Sequence, residues 1–178
     1  MIDAKNRGKT MASDKPVLNI SNLHAGIDDT PILRGIELEI PAGEIHAIMG
    51  RNGSGKTTTA NIMMGHPDFE VTDGGVQLDG ENLLEMEPWE RARAGVFLSF
   101  QYPQAVPGLQ VGNFLRKSVA AIRGEDEAKG AEFRKKLKNA MTELDIDRSF
   151  LGRYVNDGFS GGEKKRFEIL QLMLLQPK

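Results

Sequence analysis

Cysteine is absent from the 178 residues of the sequence. The chain therefore has no disulfide and no thiolate ligand for zinc or an iron–sulfur cluster. Its three histidines, His24, His46 and His66, are scattered along the chain without the spacing of a metal site. We interpret each of them as a structural or solvent-facing residue.

The sequence also has no strong net charge of either sign. Its 23 Lys and Arg residues are balanced by 25 Asp and Glu residues, which gives a net charge of −2. Such a balance gives no support to nucleic-acid binding.

No apolar run approaches the ~18–20 residues that a bilayer-spanning helix needs. Residues 1–15 are polar and lack the apolar centre of a signal peptide. We therefore expect a cytoplasmic protein without direct membrane insertion, with residues 1–15 as a mobile N-terminal tail.

Glycine is concentrated in residues 50–57, which match the pattern G-x-x-x-x-G-K-[ST] of a phosphate-binding loop. Glycines let backbone N–H groups approach a polyphosphate, and the following helix adds the positive end of its dipole. Lys56 is expected to reach the β- and γ-phosphates, and the Thr57 hydroxyl is the expected Mg²⁺ ligand. The residues predicted to bind the nucleoside triphosphate are Gly50, Arg51, Asn52, Gly53, Ser54, Gly55, Lys56, Thr57 and Thr58.

The surroundings of this loop decide between a phosphate site and a glycine-rich turn that merely contains a lysine. Residues 44–49 have the apolar pattern of a buried strand that leads into the loop, and residues 57–65 have the pattern of a helix that leads out of it. Strand, loop and helix are the context that the motif requires, and they favour the phosphate site.

The remaining patterns predict an α/β fold. Residues 17–23, 36–40 and 76–78 alternate between apolar and polar positions, as in a small antiparallel sheet, and residues 96–98 predict another strand of a parallel core. Helical patterns over residues 111–122 and 128–144 predict a helical insertion spanning about residues 102–157.

A second motif begins at Ser160, where Gly161, Gly162 and Glu163 follow. Ser160 and Glu163 have the spacing of a capping box, so a helix is predicted to begin here. An ordinary capped helix would explain the serine and the glutamate. It would not explain the glycine pair, because glycine costs about 1 kcal/mol in a helix. Taken alone, the motif would still favour an ordinary capped helix, but a phosphate loop about 110 residues earlier favours a second anion site with close backbone approach.

The order of these motifs resembles the nucleotide-binding domain of ABC ATPases, and the resemblance covers roughly residues 17–178. Three short stretches of the sequence resemble one subgroup of these ATPases in particular, the SufC-type ATPases of the SUF iron–sulfur cluster assembly system. These strings read Phe-Gln-Tyr-Pro from residue 100, Met-Gly-His-Pro from residue 64 and Ser-Gly-Gly-Glu-Lys-Lys-Arg from residue 160.

The resemblance implies roles for the matching positions. Gly50–Thr58 would hold ATP, and Gln101 would act with Lys56 in catalysis by sensing Mg²⁺ and the attacking water. Residues 160–163 would contact the γ-phosphate of ATP held by a second copy, so that a two-fold dimer makes both sites composite. Proteins of the SufB and SufD type would be the partners that carry the cluster chemistry.

Two departures from the family pattern stand out. Many ABC ATPases stack an aromatic residue on the adenine, whereas the corresponding place here is Ile27. The family also continues beyond residue 178 with the Walker B strand, which ends in Asp-Glu, and later with a switch histidine. We therefore expect this sequence to be C-terminally truncated, with residues 16–178 as an ABC ATP-binding domain that lacks part of its core and does not hydrolyse ATP alone. The alternatives are an ABC transporter subunit and a nucleotide-binding module without turnover.

Overall fold

The computed structural model describes residues 17–178. Within them the chain divides into two compact units, with the boundary in the sequence between Glu87 and Pro88. The tail predicted over residues 1–15 lies outside the described residues.

The first unit contains a four-stranded antiparallel sheet in the order β2-β1-β3-β4 and one helix, α1. The elements are β1 (Leu18–Ile27), β2 (Thr30–Ile40), α1 (Lys56–Met64), β3 (Glu70–Leu78), β4 (Glu81–Asn82) and a 3₁₀ turn (Leu83–Glu85). The predicted strands over residues 17–23, 36–40 and 76–78 lie largely within β1, β2 and β3. The predicted antiparallel sheet is therefore confirmed.

Alternation explains why this sheet forms a core on one of its faces. Ile20 of β1 lies between Leu38 of β2 and Val76 of β3 in the strand register. Ile20 and Val76 are completely buried, as is Leu23. Leu33 and Ile62, from β2 and α1, are buried in the same unit.

The two strands predicted for a parallel core do not form in the described residues, and this part of the prediction was wrong. Residues 44–49 and 96–98 have no strand assignment, and every strand pairing described is antiparallel. A buried strand needs neighbours that satisfy its backbone N–H and C=O groups, and its sequence pattern does not supply them. Ile45 and Met49 are accordingly exposed instead of buried.

The second unit is mostly helical. Its elements are α2 (Pro88–Ala94), β5 (Val106–Gln110), α3 (Val111–Arg123), α4 (Gly130–Glu143), a 3₁₀ turn (Arg148–Gly152), β6 (Tyr154–Val155) and α5 (Gly161–Leu175). The predicted helices over residues 111–122 and 128–144 correspond to α3 and α4. The short strands β5 and β6 pair in an antiparallel ribbon that the sequence patterns did not indicate.

The core of the second unit comes from residues at helical spacing. Val111, Leu115 and Val119 bury one face of α3 at intervals of four residues. From α5, Phe167 packs against Phe150 and Phe159, with ring centroids 6.1 and 6.0 Å away. This aromatic cluster lies directly beside the start of α5. Across residues 17–178, no helix is both long and apolar enough to span a bilayer.

Candidate functional site

The phosphate loop occupies the turn before α1 in the first unit. Gly55 is the N-cap of α1 with φ 91°, and no side chain caps the helix. An uncapped helix start leaves its first backbone N–H groups available to an anion, which the helix dipole also favours. The Thr59 N–H donates to Gly55 O at 2.8 Å and thereby closes the first helical turn.

Lys56 folds back over the loop that precedes it. Its Nζ donates to the carbonyl oxygens of Gly50 and Arg51, each at 2.8 Å, and lies 3.5 Å from Ser54 Oγ. The side chain thus places its ammonium group at the centre of the loop. It is held there by neutral carbonyl groups, which a phosphate oxygen can replace.

Two glycines of the loop differ in what surrounds them. A Cβ added to Gly55 would lie 2.5 Å from Leu33 Cδ2, so this glycine is required by packing against β2. A Cβ added to Gly53 would meet nothing within 4 Å, although its φ is 81°. Gly55 therefore anchors the loop to the sheet, whereas Gly53 borders open space.

Most of the remaining predicted nucleotide ligands are accessible. Residues 51–54 and Thr57 are exposed, and Thr58 is half-buried. Uncapped N–H groups, one ammonium group and an accessible threonine hydroxyl fit a triphosphate with Mg²⁺. The part of the chain that the structure describes contains no group of three or more His, Asp or Glu residues that could hold a metal ion by itself.

Gln101 lies in the second unit. It belongs to an irregular, exposed segment that ends where β5 begins at Val106. The segment leaves the Gln101 amide accessible to a ligand, and its role in Mg²⁺ binding and catalysis stays a prediction.

The second motif forms the capped helix start that the sequence predicts. Ser160 is the N-cap of α5, and its Oγ accepts from the Glu163 N–H at 3.2 Å. The Glu163 carboxylate in turn accepts from the Ser160 N–H at 2.7 Å through Oε2. The predicted capping box is thus confirmed in both directions.

The glycine pair that follows Ser160 has no packing reason within the described chain. A Cβ on Gly161 or Gly162 would meet nothing within 4 Å, and neither residue has a positive φ. Alanine would fit both positions and would stabilise the helix. The two glycines therefore leave the backbone at the start of α5 open to approach.

The sequence patterns did not indicate a role for Arg153, which lies in the same region. Its guanidinium group contacts Glu163 Oε1 and lies 4.6 Å from the ring centroid of Phe159. Arg153 lies ten positions before Glu163, so no helical or strand periodicity connects the two residues. The only sequence signal was a cation in an aromatic-flanked segment next to the motif.

The carboxyl group of Glu163 is held in its charged form. Hydrogen bonds from the Ser160 backbone and from Arg153 lower its pKa to about 2. Because this value lies far below neutrality, Glu163 carries a full negative charge at physiological pH. A carboxylate therefore lies beside the helix start at which an anion is expected.

Known proteins resemble this chain in sequence and in fold. Residues 33–178 match the family described as ABC transporter. The chain is 50% identical over 162 residues to Vegetative protein 296 of Bacillus subtilis, a match that covers 90% of this chain and 62% of that protein. It is 48% identical over 164 residues to the probable ATP-dependent transporter slr0075 of Synechocystis, covering 90% and 64%.

A solved structure described as the ATP-binding subunit of an ABC transporter superposes with a TM-score of 0.75 at 25% identity, covering 90% of this chain and 63% of that one. The chain thus spans less than two thirds of the length of each of these relatives. The predicted fold class, a phosphate-loop NTPase of the ABC ATPase type, is confirmed. Because the family match includes both the phosphate loop and the capped helix with its glycine pair, the chain belongs to the ABC transporter family of ATP-binding subunits.

Proposed function

We propose that this protein binds ATP with Mg²⁺ and closes around it as a dimer. The observation that carries the proposal is the open glycine pair at the start of α5. Nothing in residues 17–178 explains the pair, whereas a phosphate approaching a helix start does. The phosphate loop would hold the nucleotide, and the start of α5 would meet the γ-phosphate of the nucleotide held by a second copy.

Each group then has a distinct role. Backbone N–H groups of residues 52–58 hold the phosphates, and Lys56 exchanges its carbonyl contacts for phosphate oxygens. Thr57 and Gln101 are the proposed Mg²⁺ ligands, and Gln101 also orients the attacking water. Ser160, Gly161, Gly162 and Glu163 act on the partner's nucleotide.

A head-to-tail arrangement follows from this division. Since each copy offers one phosphate loop and one α5 start, two copies related by a two-fold axis complete two identical sites. ATP would stabilise the closed dimer by bridging the copies, and loss of the γ-phosphate would release them.

We further propose that the protein works in SUF iron–sulfur cluster assembly, with SufB- and SufD-like proteins as its partners. The strings around residues 64, 100 and 160 support this assignment. The absence of cysteine agrees with cluster chemistry being carried by partners. The second candidate is an ABC transporter subunit, which the description of the Synechocystis relative as a probable ATP-dependent transporter favours.

The nucleotide site is tested by isothermal titration calorimetry with Mg²⁺-ATP on the protein expressed from its complete gene. We expect Lys56→Ala to weaken binding at least about tenfold, since it removes a charge-assisted contact to phosphate. Lys135→Ala, in an exposed position on α4, is the matched control and should bind like the wild type. Equal affinity of the Lys56→Ala and wild-type proteins would refute the assignment of the loop.

The partner assignment is tested by affinity capture from the source organism, with the membrane and soluble fractions analysed separately. Recovery of soluble SufB- and SufD-like proteins supports the SUF role. Recovery of a membrane permease in their place would refute it and support the transporter role.

A further inference from the structure

Arg153 occupies an unusual position between aromatic rings and a carboxylate. Its guanidinium carbon lies 4.6 Å from the ring centroid of Phe159 and 5.4 Å from that of Phe150. One of its terminal nitrogens contacts Glu163, and the other donates to Gly158 O at 3.1 Å. Arginine is suited to this place because its planar group stacks on rings and donates in two directions at once.

The backbone of Arg153 is fixed as well as its side chain. Its N–H donates to Phe150 O at 3.2 Å, and its carbonyl oxygen accepts from the Val111 N–H at 2.9 Å. Val111 is the fully buried first residue of α3. Arg153 therefore connects the start of α3, through its carbonyl oxygen, with the start of α5, through its guanidinium group.

Both oxygens of the Glu163 carboxylate already have a hydrogen-bonding partner. Oε2 accepts from the Ser160 N–H, and Oε1 is taken by Arg153. Arg153, Glu163 and Arg166 line one surface pocket, in which Arg166 donates to the carbonyl oxygen of Asp145 instead of to Glu163. An unneutralised carboxylate one turn into the helix would repel a phosphate, so the charge on Arg153 matters to any anion that approaches.

A capping role alone does not require this arginine. In a capping box, glutamine serves at the position of Glu163 as well as glutamate does, and neither needs a cation. The specific contribution of Arg153 is to cancel the charge of the carboxylate and to fix its direction.

We propose that Arg153 is a positioning residue of the composite ATP site, which prepares the start of α5 for the γ-phosphate of the second copy by neutralising and orienting Glu163. The proposal rests on the proposed function. It also refines that function, because Glu163 then acts through the helix, while Ser160, Gly161 and Gly162 are the groups that face the phosphate.

The experiment compares the wild type with Arg153→Gln, Arg153→Lys, Glu163→Gln and the double variant Arg153→Gln/Glu163→Gln. All are expressed from the complete gene. Arg134→Gln, an exposed position on α4, is the matched control. Calorimetry measures Mg²⁺-ATP affinity at low protein concentration, and sedimentation velocity measures ATP-dependent dimerisation.

We expect Arg153→Gln to leave ATP affinity unchanged and to weaken ATP-dependent dimerisation at least about tenfold, because one uncompensated charge remains beside the phosphate. The double variant should recover most of this loss, since the neutral glutamine retains the capping box. Arg153→Lys keeps the charge without the two-directional geometry and should fall between the wild type and Arg153→Gln.

Rescue by the second substitution separates this role from a purely structural one when thermal unfolding of each variant matches that of the wild type, because the fold is then unchanged and only the charge beside the phosphate differs. A double variant as weak as Arg153→Gln would overturn the proposal, as would normal dimerisation of Arg153→Gln. A wild-type protein that binds ATP without dimerising would instead refute the composite site itself, and the role of Arg153 with it.

Discussion

Among single residues, Gly55 shows most directly how sequence fixes the phosphate loop. Its φ of 91° lies in the left-handed region, which favours glycine. Its Cα faces Leu33 of β2, which is almost completely buried. The glycine thus satisfies a backbone requirement and a packing requirement at the same position, and it joins the loop to the antiparallel sheet.

We expect Gly55→Ala to destabilise the protein by about 2–4 kcal/mol, by adding left-handed backbone strain to overpacking against Leu33. Gly53→Ala is the control, because it introduces similar backbone strain into open space. The free energy of unfolding in urea, measured for both variants, gives the packing contribution by difference. If Gly55→Ala and Gly53→Ala destabilised the protein equally, the contact between the added methyl group and Leu33 would make no contribution.

Among the elements, α5 shows a conflict between helix stability and the proposed function. Its capping box stabilises the helix, while the two glycines in its first turn weaken it. A sequence selected for helix stability alone would not place glycine where alanine fits. The conflict is local to the turn that is proposed to meet the phosphate.

Gly161→Ala and Gly162→Ala are therefore expected to keep or raise stability, by up to about 1 kcal/mol each, while abolishing ATP-dependent dimerisation. The added methyl group would occupy the space that the phosphate needs. Gly152→Ala, also in open space without a positive φ, serves as the control and should dimerise normally. Thermal unfolding and sedimentation are measured on the same preparations. If both the Gly161→Ala and the Gly162→Ala proteins still dimerised with ATP, the phosphate would not bind at the start of α5.

Local signals explain which elements could be predicted from the sequence. The α3 and α4 patterns, the alternation of β1 and β2, and the pair Ser160 and Glu163 each specify a structure over a few neighbouring residues. Residues 44–49 and 96–98 do not, because a parallel strand forms only with partners that are distant in sequence. Arg153 escaped prediction for a related reason, since its two rings and its carboxylate come together only in the folded chain.

For the 178-residue polypeptide as a whole, the segment over residues 44–49 is the surface most prone to aggregation. Ile45 and Met49 are 99% and 88% exposed, and no strand pairs with the segment in the described residues. Exposed apolar side chains on a backbone without strand partners form a template for association with another chain. A net charge of only −2 provides little repulsion between molecules.

Ile45→Lys is therefore expected to slow aggregation of the 178-residue polypeptide, as followed by light scattering at rising protein concentration. Its folding stability should change by less than about 0.5 kcal/mol, because the wild-type side chain makes almost no contacts. Ile169→Lys is the control, since Ile169 is 44% exposed but lies on α5, where the backbone is paired within the helix. If Ile169→Lys slowed aggregation equally, apolar exposure in general, and not the unpaired segment, would be the cause. A protective effect confined to Ile45→Lys would identify residues 44–49 as the surface through which the polypeptide associates.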